Sequence, residues 1–148
     1  MAKIRHIALA SANPGKAAEF FKAAFGFQEL GRFGLDPDKP DEAPRPSGVF
    51  LTDGTINLAI LKIGKANLAG LGEDFVGIHR FGVVVDDMDA HTRKLEALGV
   101  PCVVGYDAIP PGAHKEIKFR GPDGVIFDIS DRFWAGTAEA EMQSEAAQ

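Results

Sequence analysis

The stretch RHIALASANPGKAAEFFKAAFGF, Arg5 to Phe27, holds a strand, a turn and a helix in that order, and the rest of the chain is read from it. Ile7 and Leu9 alternate with His6, Ala8 and Ala10, the period of two of a half-buried strand. Asn13-Pro14-Gly15 then supplies an N-cap side chain followed by proline at the first helical position. Ala17, Phe20, Phe21, Ala24 and Phe25 recur three and four apart, so the helix is expected to bury that stripe, and Gly26 stands where a left-handed C-cap is wanted. His6 raises the functional question: it is either a ligand or a polar residue that begins a strand.

The pattern continues and then repeats. GVFLTDGTINLAILK reads as a hairpin turning at Asp53-Gly54, with FQELGRF as one further strand before it. IHRFGVVVDDMDAHTRKLEALGV, Ile78 to Val100, is a strand rich in β-branched residues, an aspartate cluster able to cap a helix, and a helix with Met88, Leu95 and Leu98 on one face. PCVVGYDA follows as a strand, and EIKFRGPDGVIFDIS as a hairpin turning at Pro122-Asp123-Gly124. The two Asp-Gly turns lie 70 residues apart, and His6 and Arg80, each near the start of its half's first strand, 74 apart. The expected architecture is therefore α+β. Two tandem βαβββ modules, about 1–70 and 76–135, form a curved mixed sheet around a shared cleft, with the helices on the outer face. Residues 1–135 are one domain, and 136–148 a flexible, polar, alanine-rich tail.

Composition excludes several classes of function. At 148 residues, 45% hydrophobic and 25% charged, the chain can bury a sizeable core. A net charge of −5 argues against a phosphate-backbone partner. No long apolar run follows Met1–Arg5, so no membrane segment or secretory leader is expected. Cys102 is the single cysteine and cannot form an internal disulfide, which suits a reducing, cytoplasmic setting.

Alternation along the strands selects the side chains that face the cleft. With Ile7, Leu9, Leu58, Ile60, Phe81, Val83, Phe127 and Ile129 packed on the helices, the opposite face receives His6, Asn57, Arg80 and Asp128 among small residues. That is a pocket with a polar centre. The plain alternatives are a strand-bonded His6, a solvated Arg80 and an Asn57 bonded near its turn. Asp128, between Phe127 and Ile129, is the least expected residue for a buried strand. His91 and His114 read as solvated, and Asp86, Asp87 and Asp89 as helix-capping residues. The proline-rich stretch GLDPDKPDEAPRPSG is an irregular loop that could lid the pocket or meet a second subunit.

The repeated βαβββ units, with HIALA, NPGKAAEFFKAAFGF, GIHRFGVVVDDMD and RGPDGVIFDIS, resemble the vicinal oxygen chelate superfamily of glyoxalases, bleomycin resistance proteins and extradiol dioxygenases. The resemblance implies metal ligands on the first and last strands of each unit, at the positions here held by His6, Asn57, Arg80 and Asp128. His6 and Asp128 are then the metal-ligating and catalytic residues, and Arg80 and Asn57 contact substrate. A guanidinium has no lone pair, so Arg80 cannot ligate, and His79 beside it could reach the site only through a bulge. Two centres stay open at this point. One is a divalent nickel, zinc, manganese or iron ion on His6 and Asp128. The other is an Arg80–Asp128 pair in the metal's place, suited to an anionic oxygen. The implied function is a glyoxalase- or epimerase-like lyase or isomerase acting on a small molecule, and the alternative is a non-catalytic small-molecule or drug binder similar to bleomycin resistance proteins. A homodimer is the implied assembly.

Overall fold

The computed structural model describes residues 1–64, 70–109 and 111–146. Residues 65–69, at the expected end of the first module, and 147–148, in the expected tail, lie outside the described residues. The first module runs β1 (Lys3–Ala10), α1 (Pro14–Phe25), β2 (Gln28–Phe33), β3 (Ser47–Thr52) and β4 (Asn57–Lys62). The second runs β5 (Gly77–Val84), α2 (Met88–Ala97), β6 (Cys102–Val104), β7 (Ile117–Arg120) and β8 (Ile126–Ser130), and a last helix, α3 (Ala138–Ala146), follows.

Both module helices begin on a side-chain cap, which satisfies an amide that helix geometry leaves without a partner. Asn13 Oδ1 accepts from Lys16 N at 3.2 Å and Asp87 Oδ1 from Ala90 N at 3.0 Å. Of the three clustered aspartates, Asp87 is thus the cap. Asp86 instead takes a bond from the exposed N-terminal amine.

The eight strands form one curved mixed sheet, not closed, in the order β2-β3-β4-β1-β5-β8-β7-β6. In each module the first strand lies parallel to the last, β1 on β4 and β5 on β8. The modules join within the one chain through antiparallel pairing of β1 with β5. One face of the sheet is apolar and carries the helices. Ala18 of α1 packs with Val49, Leu51 and Ile60, and Met88 of α2 with Val85, Ile117, Phe119 and Ile129. Each such large side chain taken fully from water stabilises the fold by roughly 1.5–3 kcal/mol.

Three expectations on this face change. Phe20 and Phe25 are 62% and 65% exposed, and the buried stripe of α1 centres on Pro14 and Ala18, with Ala17 and Phe21 beside it. Phe20 lies two residues from Ala18, about 200° round the helix. Phe25 sits in the last turn and stacks on Phe27. Leu98, just past α2, is likewise exposed. The proline-rich loop is anchored at two places: Pro40 O and Asp41 bind Asn13 and Lys16 at the start of α1, and Arg45 Nη1 donates to Ile63 O beyond β4.

The capping assignment separates two neighbouring aspartates. Asp87→Ala is expected to lower unfolding free energy by about 1 kcal/mol in urea titration, and Asp86→Ala by less than about 0.5 kcal/mol. Equal losses would show that the cap does not anchor α2.

Candidate functional site

Strand register, not sequence proximity, builds the site. Asn57 lies opposite His6, His6 opposite Gly82, Gly82 opposite Asp128, and Asp128 opposite Lys118. These five residues make one row across β4, β1, β5, β8 and β7, with the glycine at its centre. Neighbouring strands are about 4.8 Å apart, so His6 and Asp128 start roughly 9.6 Å apart, yet His6 Nε2 reaches to 3.8 Å from Asp128 Oδ2. They meet over Gly82, where an added Cβ would stand 2.8 Å from His6 Cβ and 2.8 Å from Trp134 Cη2. Arg80, two residues before Gly82 on the same face, donates from Nε to Asp128 Oδ2 at 2.8 Å. The four residues singled out in the sequence are therefore brought together, and all are buried.

The structure adds four residues to them. Glu116 and Lys118 lie on this face because Ile117 and Phe119 between and beyond them point to the helices. Lys118 Nζ sits 3.2 Å from Glu116 Oε1 and 3.3 Å from Asp128 Oδ1. The second contact lies off the hydrogen-bonding direction, so Asp128 Oδ1 has an ion pair but no hydrogen bond. Arg80 Nη2 is 3.7 Å from Glu116 Oε1. Trp134 donates from Nε1 to Glu116 Oε2 at 3.0 Å and lies flat between His6 and His114, at 4.8 and 4.7 Å between ring centres. The signal for Glu116 and Lys118 was the alternation in EIKFR. Trp134 and His114 come from irregular chain, where no periodicity could mark them.

His114 is a correction to the sequence reading: it is half-buried and bonded, not solvated. Ser130 Oγ donates to Lys115 O at 2.8 Å and accepts from Arg132 N, so His114 Nε2, 3.0 Å away, is a donor to it. His79 does lie at a break in register, since Ala8 pairs with Arg80 and Leu9 with Ile78. That irregularity places its Nδ1 3.3 Å from Arg80 Nη1, where it braces the guanidinium.

The same logic fixes the tautomer of His6. Asn57 Nδ2 donates to Ala135 O at 2.9 Å, leaving Asn57 Oδ1 to accept from His6 Nδ1 at 2.8 Å. The His6 proton is then on Nδ1. Its Nε2 lone pair faces Asp128, buried and without a hydrogen-bond partner among the described residues. Burial pushes the pKa of His6 down against the opposing pull of Glu116 and Asp128, and burial lowers that of His114 as well. Burial works to raise the Glu116 carboxyl. The charges of Lys118, then of His6 in its protonated form and of Arg80, overcome this and hold it well below the usual carboxylate range.

His6 Nε2 with one oxygen each from Glu116 and Asp128 lie within 4.8 Å of one another, and two of the site's buried polar atoms lack hydrogen-bond partners. In donor chemistry that suits a transition metal. In charge it does not: Arg80 and Lys118 already balance the two carboxylates, and Lys118 Nζ stands between them. A divalent ion on this His/Glu/Asp group would have to displace the Lys118 ammonium from both carboxylates.

The chain matches the family model of the Glyoxalase/Bleomycin resistance protein/Dioxygenase superfamily over residues 3–129. It belongs to that superfamily. Among solved structures, a hypothetical protein of Bacillus halodurans is similar at 19% identity and TM-score 0.60, over 86% of this chain and 92% of that one. A variant methylmalonyl-CoA epimerase of Streptomyces coelicolor, in complex with 2-nitronate-propionyl-CoA, is similar at 18% identity and TM-score 0.62, over 86% and 94%. The methylmalonyl-CoA epimerase of Mycobacterium tuberculosis is similar at 18% and 0.59, over 85% of each chain. At such identities the likeness is one of fold. No curated protein matches. No helix among the described residues is long and apolar enough to cross a membrane.

Two histidines held neutral by burial set a pH dependence. In the unfolded chain they take up protons as pH falls through about 6.5, whereas the folded state resists protonation until its lower pKa values, so stability falls as pH drops below about 6.5. Melting temperature followed from pH 8 to pH 5 should decline over the acid half of that range. His114→Gln should flatten the decline. An unchanged slope in that variant would show that His114 is not a neutral buried group.

Proposed function

We propose that this protein is a small-molecule enzyme that moves a proton beside a carbonyl group, in the manner of glyoxalases and epimerases. The observation that carries the reading is His6: a neutral imidazole of fixed tautomer, its Nε2 lone pair without a hydrogen-bond partner among the described residues, facing the buried carboxylate of Asp128, the half-buried one of Glu116 and two buried cations. A substrate carbon flanked by oxygens loses its proton to Nε2, and the electron pair moves onto the carbonyl oxygen. Arg80 and Lys118 face that oxyanion as fixed positive charges in a dry site, where they need no reorganisation as the charge develops. Protonated His6 then returns a proton on its own face, to the neighbouring carbon or to the same carbon, and inversion at that carbon requires the enolate to turn over in the site before it is reprotonated. Asp128 holds Arg80 in place and receives the charge of protonated His6. Asn57, assigned to substrate from the sequence, is occupied by His6 and Ala135 and so acts as a positioning residue for the imidazole.

No step in this reading passes through a metal. The substrate is an anionic or polar compound with adjacent oxygens and an acidified C–H bond. The bound 2-nitronate-propionyl-CoA of the Streptomyces coelicolor relative makes acyl thioesters the first compounds to assay. Thiol adducts of 2-oxoaldehydes come second. Entry requires Trp134 to leave its place over His6.

The test is exchange of the substrate C–H for deuterium, followed by proton NMR in D2O across these two classes. Wild-type protein is expected to exchange at least one of them, and His6→Gln to slow that exchange by about 10²- to 10⁴-fold. The rate should rise with pH as His6 loses its proton, and be level before pH reaches about 6.5, because burial lowers the pKa of His6. Exchange undiminished in a folded His6→Gln protein overturns the assignment of the base. Saturable quenching of Trp134 without exchange favours the binder reading instead.

A further inference from the structure

The disagreement between donor set and charge leads to Lys118. Four side chains supply the charges of the cluster. Glu116 and Asp128 are negative, Arg80 and Lys118 positive, and with His6 neutral the formal sum is zero. Arg80 engages Asp128 Oδ2 at 2.8 Å. Lys118 Nζ takes what remains: it lies 3.2 Å from Glu116 Oε1 and 3.3 Å from Asp128 Oδ1, while His6 Nε2 closes the same group from the far side of Gly82. These are the three residues whose ligand atoms gather within 4.8 Å. A metal ion holds its ligands at about 2.0–2.2 Å, so donors around one ion stand no more than about 4.4 Å apart. Three donors around one tetrahedral ion stand closer still, about 3.3–3.6 Å apart, so the cluster would have to contract by about 1 Å to hold one, and an ammonium lies against its two carboxylates.

We propose that Lys118 is the resident cation of this site. Its ammonium takes the place between Glu116 and Asp128 that a divalent ion would occupy, and thereby selects against metal. An ammonium donates hydrogen bonds and accepts none, and it cannot share two carboxylates with a doubly charged ion at contact distance. Removing it leaves two carboxylates against the single charge of Arg80, one unbalanced negative charge beside the His6 lone pair. That is the composition of a divalent-ion site. The inference goes beyond the proposed reaction and does not depend on it, since it would hold equally for a non-catalytic binder.

The experiment is calorimetric titration of tag-free protein with zinc, manganese and nickel chloride, read in parallel by emission of Trp134, the single tryptophan. Trp134 bonds Glu116 and stacks on His6, so an ion on those residues changes its surroundings. Wild type and Lys118→Arg are expected to take up no stoichiometric ion. Lys118→Met should bind one equivalent at least about 100-fold more tightly than wild type, and the further change Asp128→Asn should abolish that gain. Two results overturn the proposal. One is a wild-type protein that binds one equivalent at micromolar concentration and loses it in Asp128→Asn. The other is a Lys118→Met protein with the wild-type near-ultraviolet dichroism and no gain in affinity. If Lys118→Met does not fold, Lys118→Gln takes its place, and the comparison of wild type with Asp128→Asn decides between resident ammonium and metal without either variant. Failure of the deuterium-exchange assay leaves these titrations unaffected.

Discussion

A missing side chain at Gly82 is the constraint on which the site depends. Five strands contribute one row of register partners, and in a row with a side chain on every strand His6 and Asp128 would be held apart by the residue between them. The glycine opens a gap that His6, Asp128 and the Trp134 ring fill together, with an added Cβ 2.8 Å from two of these side chains. Gly82 stands on β5, the strand through which the second module pairs with the first. The join between the modules and the centre of the site are one structural feature, so a slip of one residue between β1 and β5 would turn His6 to the helix face and dissolve both.

Charge balance is the second constraint. Burying an unpaired carboxylate is costly enough that such a group ordinarily neutralises or finds a partner. Here two carboxylates are held among two cations, an indole N–H and a neutral imidazole. The order of strengths is visible in Glu116: desolvation opposes its ionised form, and the neighbouring cations win. His6 shows the reverse, with burial prevailing over the attraction of Glu116 and Asp128. One environment keeps a carboxyl charged and an imidazole uncharged, the pair of states that a general base facing an oxyanion hole needs.

Much of this was legible in the sequence, because a period of two is a strict rule. His6, Asn57, Arg80 and Asp128 fall on one face as soon as Ile7, Leu58, Phe81 and Phe127 are assigned to the other, and the repeated turn spacing places their strands in equivalent positions. Lys118 and Glu116 obey the same alternation, but a charged residue in a short strand beside a hairpin turn reads equally well as solvated. What singles them out is Asp128 opposite Lys118, a pairing fixed by the β7–β8 register and absent from any local pattern. Phe20 and Phe25 fail for a related reason. Helical spacing identifies a stripe but not how far the sheet beneath it extends, and both side chains lie outside what β3 and β4 cover.

The chain after β8 connects access with chemistry. Trp134 roofs His6, Ala135 O accepts from Asn57, Gly136 O accepts from Thr52 Oγ1 at 2.7 Å, and Glu139 pairs with Arg5 on β1. These contacts hold one continuous segment over the concave face. The bond to Ala135 also decides which Asn57 atom faces His6, and hence which imidazole nitrogen keeps its proton. Lifting the segment to admit a substrate removes that acceptor, the stacked indole and the Trp134 donor to Glu116 together. His6 is therefore fixed in its Nδ1-protonated tautomer only while the segment is down, and under the proposed reaction a substrate that enters must leave Ala135 and Asn57 in contact for His6 to present its lone pair. This favours a narrow opening at Trp134, with the backbone beyond it still anchored through Gly136 and Thr52, over release of the whole tail.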